Sequence, residues 1–600
     1  MTDPKHPTGT AHSPEASGMR KGLTNYGDAG FSLFLRKAFI KGAGYTDAAL
    51  DRPVIGVIDT GSGYNPCHGN MPQLVEAVNR GVMLAGGLPV KFPTISIGES
   101  FAQPTSMYMR NLMSMDTEEM IRAQPMDAVV LIGGCDKTVP AQLMGAASAG
   151  MPAIQLITGS MLTGSHRGET VGACTDCRRF WGKFRADEID EAEITEVNNQ
   201  LVASVGTCSV MGTASTMACI AEALGMTVPG GASPPAVTAD RMRVAERTGT
   251  QAVALARKRL GIDQILTAKA FENAMRVLLA IGGSTNGIVH LTAIAGRLGF
   301  EVDLEALDRM GRETPVLVDL KPTGDGYMED FHAAGGMGCV IRELVGSGLA
   351  HGDILTVAEG GFAAYADEPY LDNDALAWRP SPEVSGDPAM LATVAEPFLP
   401  DGGMRLVEGN LGRGTFKSSA VDAERWTIEA PARVFETQEA VQAAFKAGEL
   451  NRDVVAVVRF QGPKANGMPE LHSLTPALGI LHYSALIGVA AVRFGFPQGD
   501  ALASLGVAVF IGSGIGQLGG VLNRSLKALG LNLGCIAGSL DLDLEVEQIA
   551  HGLFANATHH LAEHCITLAL VLDQWVTLCH GSKSNAFLQV VHLIEVVTPL

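Results

Sequence analysis

The run Leu131-Ile-Gly-Gly-Cys-Asp-Lys-Thr-Val-Pro-Ala141 constrains this chain more than any other stretch. The residues leading into it, Asp127 to Ile132, form a short β-branched apolar run, the pattern of a buried parallel strand. Gly133 and Gly134 end that strand and let the backbone turn tightly. Cys135, Asp136 and Lys137 follow without a spacer, and Pro140 suits the first turn of a helix. In open α/β sheets ligands bind beyond the carboxyl ends of the strands. A soft thiolate beside a hard carboxylate at such a place suggests two metal centres of different character. The alternative is a βα turn that holds a buried cysteine.

The flanking sequence repeats the alternation. Arg52 to Asp59 reads as a second strand and opens into a polar loop, Thr60 to His68, that carries Cys67. Met71 to Ala85 has helical apolar spacing and stops at Gly86-Gly87. Phe92 to Ile97 predicts a strand leading to Glu99, Met107 to Ile121 a methionine-rich helix, and Pro152 to Thr158 a further strand. The pattern predicts an α/β domain built on a mostly parallel sheet with helices on both faces. Gly206 to Ala218 is a small-residue run that carries Cys208 into a helix. Phe271 to Ala295 reads as helical except where Gly282-Gly-Ser-Thr-Asn286 cuts it, either for a ligand contact or for plain helix packing.

Six hundred residues exceed a single core, so two large domains are expected. Residues 1–20 read as a flexible tail, 21–377 as the α/β domain and 378–600 as a β-rich, barrel-like C-terminal domain. Pro380, Pro382, Pro397 and Pro400 mark its start, and Met404–Val407, Trp426–Ile428 and Val454–Phe460 are its expected strands. The net charge of −19 argues against nucleic acid as a partner. Ten cysteines are too sparse for a disulfide scaffold. With no basic-then-apolar signal at the N-terminus, a cytoplasmic protein with reduced thiols is expected, and metal or cluster ligation needs such thiols.

Residues 483–600 differ in texture. They hold 12 charged residues in 118, about half the density of the rest, with six of the fifteen histidines and three of the ten cysteines. Ala501 to Asn523 is uncharged and long enough to span a bilayer, but its glycines argue for a buried or misfitting segment, and no membrane partner is expected. His560, His564 and Cys565 are expected on one side of an apolar helix as packing residues, with metal ligation the alternative.

Cys67, Cys135 and Cys208 all stand at strand ends or in loops, and cysteine thiolates are what hold iron–sulfur clusters. Three protein ligands leave one iron open to a substrate oxygen. Glu99, Asp136 and Glu470, the last in the loop Gln461 to His472, are oxygen donors suited to Mg²⁺. Cys174-Thr-Asp-Cys177 competes for the metal with a spacing that suits zinc or redox work, but it has no second pair.

At these residues the chain resembles the dihydroxy-acid dehydratase / 6-phosphogluconate dehydratase family. Cys135-Asp-Lys-Thr-Val-Pro-Ala-Gln-Leu-Met-Gly145 is similar to that family's first signature. Asn65-Pro-Cys67, Gly206-Thr-Cys208, Gly212 to Met217 and Gly282 to Asn286 are similar to its other landmarks. The resemblance covers roughly residues 25 to 480; the first half is most similar to sugar-acid dehydratases, and residues 400 to 480 look closer to the 6-phosphogluconate branch.

The resemblance implies an iron–sulfur cluster on Cys67, Cys135 and Cys208, [2Fe-2S] in preference to [4Fe-4S]. It implies Mg²⁺ on Glu99, Asp136, Glu470 and Lys137, the lysine carbamylated because an ammonium has no lone pair to give. Lys137 and Glu470 are then the catalytic candidates identified, in a homodimer or homotetramer. The implied reaction removes water from a 2,3-dihydroxy sugar acid to give a 2-keto-3-deoxy acid. Dihydroxy-acid dehydration in branched-chain amino-acid synthesis is the runner-up, and a cluster-binding relic without activity is a third reading. The family's serine base sits in a motif Asp-Gly-Arg-x-Ser-Gly shortly after the region matching Leu471 to Leu481. That motif is not found here, and Ser513 in Gly512 to Gly516 is a poor substitute. A frameshifted C-terminus is the preferred account and a diverged one the alternative.

Overall fold

Strands β1 (Val54–Asp59), β2 (Leu88–Pro93), β3 (Ala128–Gly133) and β4 (Ala153–Ile157) form one sheet in the order β2-β1-β3-β4, parallel throughout. This computed structural model describes residues 17–461 and Leu474, apart from residues 24–25, 103–104, 186–187, 383, 411, 422–425, 451 and 453. Every residue of β3 and β4 is buried. That burial explains why these strands are continuously apolar rather than alternating: helices cover both sheet faces.

Helix α1 (Met71–Leu84) connects β1 to β2, α2 (Ser106–Ala123) connects β2 to β3, and α3 (Thr138–Ala149) connects β3 to β4. The first connection runs one way along the sheet and the second runs back over β1. Right-handed crossovers therefore place α1 and α2 on opposite faces. The same reversal makes β1 and β3 neighbours whose chains leave in opposite directions, the switch point where ligands bind in such sheets.

Two further helices complete the core around the sheet, α4 (Thr213–Ala223), buried along its whole length, and α5 (Ala239–Lys258). Where α1 crosses α5, a Cβ on Gly81 would lie 1.9 Å from the Glu246 carbonyl oxygen, so only glycine allows this approach. Helices α6 (Ala268–Ala280) and α7 (Asn286–Arg297) are separated at Gly282 to Thr285, where the sequence predicts a break.

Several expectations are corrected. The strand expected at Phe92–Ile97 is Leu88–Pro93, because those six residues pair one for one with Val54 to Asp59. Residues 94–98 are thereby left as the loop that delivers Glu99. Trp426–Ile428 is not a strand; Trp426 is exposed and its indole N–H donates to the Val421 carbonyl at 2.9 Å. Gly18–Arg20, at the end of the expected tail, form a 3₁₀ turn. The Gly18 amide donates to the Asp127 carboxylate, which also accepts from the Val54 amide at 2.8 Å.

After the α/β core come small sheets: antiparallel hairpins at Asp367–Asp372 with Ala375–Pro380 and at Arg405–Gly409 with Gly412–Phe416. Ala432–Phe435 and Val455–Val458 pair in parallel around the helix Gln438–Lys446. Phe435, Val441, Ala444, Leu450 and Val454 belong to a small core of their own there. Among the described residues no helix is long and apolar enough to cross a membrane. Glu470, Ser513, His560, His564, Cys565 and the segment 501–523 lie outside the described residues.

Candidate functional site

All four strands deliver residues to one place. Beyond β1, Cys67 sits in a short 3₁₀ turn, Pro66–His68. Beyond β2, Glu99 opens the turn Glu99–Phe101. Beyond β3 come Cys135, Asp136 and Lys137, with Lys137 at the N-cap of α3. Beyond β4, Ser160 bridges in parallel to Thr207, which sets Cys208 alongside. The Thr207 amide donates to the Gly159 carbonyl at 2.9 Å and the Met161 amide to the Thr207 carbonyl at 2.8 Å. These strand-like contacts are long-range, so local sequence does not reveal them.

The turns are tied to one another. The Gly206 amide donates to the Pro66 carbonyl at 3.0 Å, linking the Cys208 segment to the Cys67 turn. His68, fully buried, accepts the Gly134 and Cys135 amides on Nε2 at 3.1 and 3.3 Å. Its Nδ1–H therefore donates to the Thr60 carbonyl at 2.9 Å. Burial pushes the His68 pKa down to about 4, which keeps the ring neutral and able to accept. Gly134 is required here, since a Cβ would lie 1.8 Å from Thr158 Oγ1.

The thiols converge. Cys67 is in hydrogen-bond contact with Cys135, and Cys174 Sγ lies 2.7 Å from Cys208 Sγ. Asp136 acts electrostatically on both Cys67 and Cys208. The Cys67 thiol is held well above its usual range by the hydrogen bond to Cys135, then by burial; for Cys208 the hydrogen bond to Cys174 comes first. Cys174 thus joins the three cysteines singled out in sequence rather than forming a separate site with Cys177. Cys177 instead accepts the Cys174 amide at 3.3 Å.

The oxygen donors stand beside the thiols. Lys137, whose side chain is 4% exposed, places Nζ 3.3 Å from Glu99 Oε2 and 3.8 Å from Asp136 Oδ2. Ser106 Oγ donates to both Glu99 oxygens at 2.7 and 2.8 Å. His290, fully buried, lies within electrostatic reach of Lys137 and receives Arg110 Nη1 on Nδ1 at 3.1 Å. The two small-residue runs also meet: Thr213 Oγ1 lies 3.1 Å from Ser284 Oγ and accepts from Asn286 Nδ2 at 3.1 Å. The Gly282–Asn286 break thus combines a polar junction at the start of α4 with close packing, since a Cβ on Gly283 would lie 2.6 Å from Leu278 Cδ1 and 3.1 Å from Thr216 Cγ2.

Among the described residues no three donors converge at the spacing of a single ion. A sulfide-bridged cluster does not need them to, because its thiolates bind different irons. The buried hydroxyls of Thr138, Thr158, Ser160 and Ser209 have no hydrogen-bond partner among the described residues, and each adjoins the Cys135 turn or the Cys208 segment. Soft thiols, hard carboxylates and unsatisfied hydroxyls close to one another fit a cluster beside a divalent cation.

The N-terminal model of the dihydroxy-acid/6-phosphogluconate dehydratases matches residues 52–364, and the C-terminal model matches residues 389–494. The chain belongs to this family. It is therefore a dehydratase, a hydro-lyase. It is 39% identical to the L-arabonate dehydratase of Azospirillum brasilense, over 86% of this chain and 87% of that one. It is also 39% identical to the phosphogluconate dehydratase of Zymomonas mobilis, over 68% of this chain and 67% of the relative. Identity to the dihydroxy-acid dehydratase of Moorella thermoacetica is 34%, over 86% and 91%.

His68 is the residue that sequence reasoning passed over, and Cys174 was weighed only as a competitor of the three-cysteine set. The available signal for His68 was its place directly after Cys67, but nothing local indicates that its ring reaches the β3 turn. Cys174 was visible only as half of a CxxC pair.

Proposed function

We propose that this dehydratase removes water from a 2,3-dihydroxy sugar acid to give a 2-keto-3-deoxy acid. In this reading Cys67, Cys135 and Cys208 hold an iron–sulfur cluster, [2Fe-2S] in preference to [4Fe-4S]. Glu99, Asp136, Glu470 and Lys137 hold Mg²⁺. The observation that carries the reading is the meeting of thiols with the Glu99–Lys137–Asp136 group at the β1/β3 switch point. Relatives named for L-arabonate, phosphogluconate and 6-deoxy-6-sulfo-D-gluconate dehydration favour a sugar acid. The proposal includes a homodimer or homotetramer in the cytoplasm.

Cys67, Cys135 and Cys208 would hold a cluster able to supply Lewis acidity to the departing hydroxyl, and Glu99, Asp136, Glu470 and Lys137 would hold an Mg²⁺ able to acidify the proton beside the carboxylate. The protein's own share is electrostatic and positional. Glu99 and Asp136 with Lys137 as an ammonium sum to −1; carbamylation of Lys137 makes the sum −3, far better matched to a dication. Ser106 fixes the Glu99 carboxylate, and His68 fixes the turn that presents Cys135.

Turnover on a panel of aldonates and on branched 2,3-dihydroxy acids, measured beside iron and sulfide content, tests the reading. Preference for a branched dihydroxy acid would favour the runner-up. Full cluster loading with no turnover on either class would favour an inactive cluster-binding protein.

A further inference from the structure

The cluster assignment uses three thiols, yet the site contains four. Cys174 Sγ lies 2.7 Å from Cys208 Sγ, about 0.7 Å longer than an S–S bond. Four observations show that this approach is built into the fold. Cys174 has φ +82°, a left-handed conformation that a non-glycine residue adopts only when its surroundings impose it. Its backbone is held on one side by the Cys177 sulfur, which accepts the Cys174 amide. On the other side, a Cβ on Gly172 would lie 2.2 Å from Ser209 Oγ, so the loop lies directly on the Cys208 segment. Buried Asp176 locks the turn, accepting from the Gly172 amide at 2.9 Å and the Tyr327 hydroxyl at 2.8 Å.

We propose that Cys174 and Cys208 form a reversible disulfide under peroxide, which withholds Cys208 from the cluster and shields it from irreversible oxidation. The withholding rests on the reading of Cys208 as a cluster ligand; the disulfide itself does not. Cys174 and Cys208 are both partly exposed. The Cys174 thiolate attacks the O–O bond of hydrogen peroxide and becomes a sulfenic acid; the hydroxide released takes up the thiol proton as water. The Cys208 sulfur then attacks the Cys174 sulfur, the S–O bond breaks, and a second water leaves. Two thiols are oxidised and one peroxide is reduced to two waters. A thiol reductant reverses the bond.

The test treats the full-length protein with hydrogen peroxide, blocks remaining thiols by alkylation, and maps cysteine linkages by mass spectrometry without reduction. The expected main product is the Cys174–Cys208 peptide, which disappears on dithiothreitol treatment. Cys177→Ser is expected to keep that linkage. Cys174→Ser is expected to lose it, to accumulate sulfinic and sulfonic acid at Cys208, and to lose the iron reloading that the wild-type protein recovers after reduction. A Cys174–Cys177 or Cys67–Cys135 linkage as the main product, or no linkage, overturns the proposal. The separate variant Cys208→Ser distinguishes the two readings: if it loads iron normally, the cluster assignment fails, while the linked peptide still supports the disulfide.

Discussion

The imidazole of His68 ties the Cys67 turn to Cys135, 67 residues further along the chain, its Nε2 accepting the backbone amide of Cys135 at 3.3 Å. Because the adjacent Gly134 amide shares the same acceptor, one neutral ring satisfies two buried donors. His68→Leu leaves both unsatisfied and is expected to destabilise the protein by about 2–4 kcal/mol. Denaturant unfolding reads the stability, and iron content reads whether the Cys135 turn still presents its thiol. Wild-type stability and iron in this variant would show that the ring is dispensable.

Cys135→Ser is expected to abolish the brown colour and the iron and sulfide content of anaerobically prepared protein, because it leaves a cluster under-ligated. Cys177→Ser is expected to change neither. The reverse pattern would move the metal to the CxxC pair.

Glu99→Gln is expected to weaken Mg²⁺ binding while the visible spectrum of the cluster stays unchanged. The amide keeps the shape but removes the charge that a hard dication prefers. Calorimetric titration with Mg²⁺ beside absorption spectroscopy separates the two. Glu470→Gln is expected to behave alike; equal loss of both metals in either variant would show support of the fold instead.

Glu222 is fully buried in α4, and burial raises its pKa to about 7, against the lowering effect of the Ala232 and Gly230 amides and of Arg241. The folded state therefore binds this proton more tightly than the unfolded state. Its contribution is fully present below the unfolded value near 4.5 and is lost as pH rises through 7, an effect on the order of 3 kcal/mol. Stability is expected to fall between these limits in wild type and to flatten in Glu222→Gln, as read from denaturation midpoints across pH. An unchanged slope in the variant would assign the dependence elsewhere.

The C-terminal family match ends at residue 494, close to the change in composition, and the serine motif is missing from the sequence beyond Leu481. Little or no dehydratase turnover is therefore expected from this chain, even with cluster and Mg²⁺ loaded. Restoring a family-like reading frame after about Leu481 is expected to recover a serine motif and turnover. Robust turnover of the chain as it stands would mean that another group takes the C2 proton.

The sequence by itself determined the parallel α/β core, since continuous apolar runs such as Ala128–Gly133 and Ala153–Ile157 alternate with amphipathic helices. It also marked Cys67, Glu99, Cys135, Asp136, Lys137 and Cys208 as chemistry-bearing residues at strand ends, because glycine and proline punctuation is local. Strand limits were less legible: pairing with Val54–Asp59, not propensity, places β2 at Leu88–Pro93. The tertiary structure alone decided that Thr207 bridges to Ser160, that His68 reaches the β3 turn, and that the Cys174 side chain stands against Cys208. Each of these contacts joins segments tens of residues apart. Such contacts form only once the sheet order and the packing of the loops bring strand ends together, and no local periodicity encodes that order.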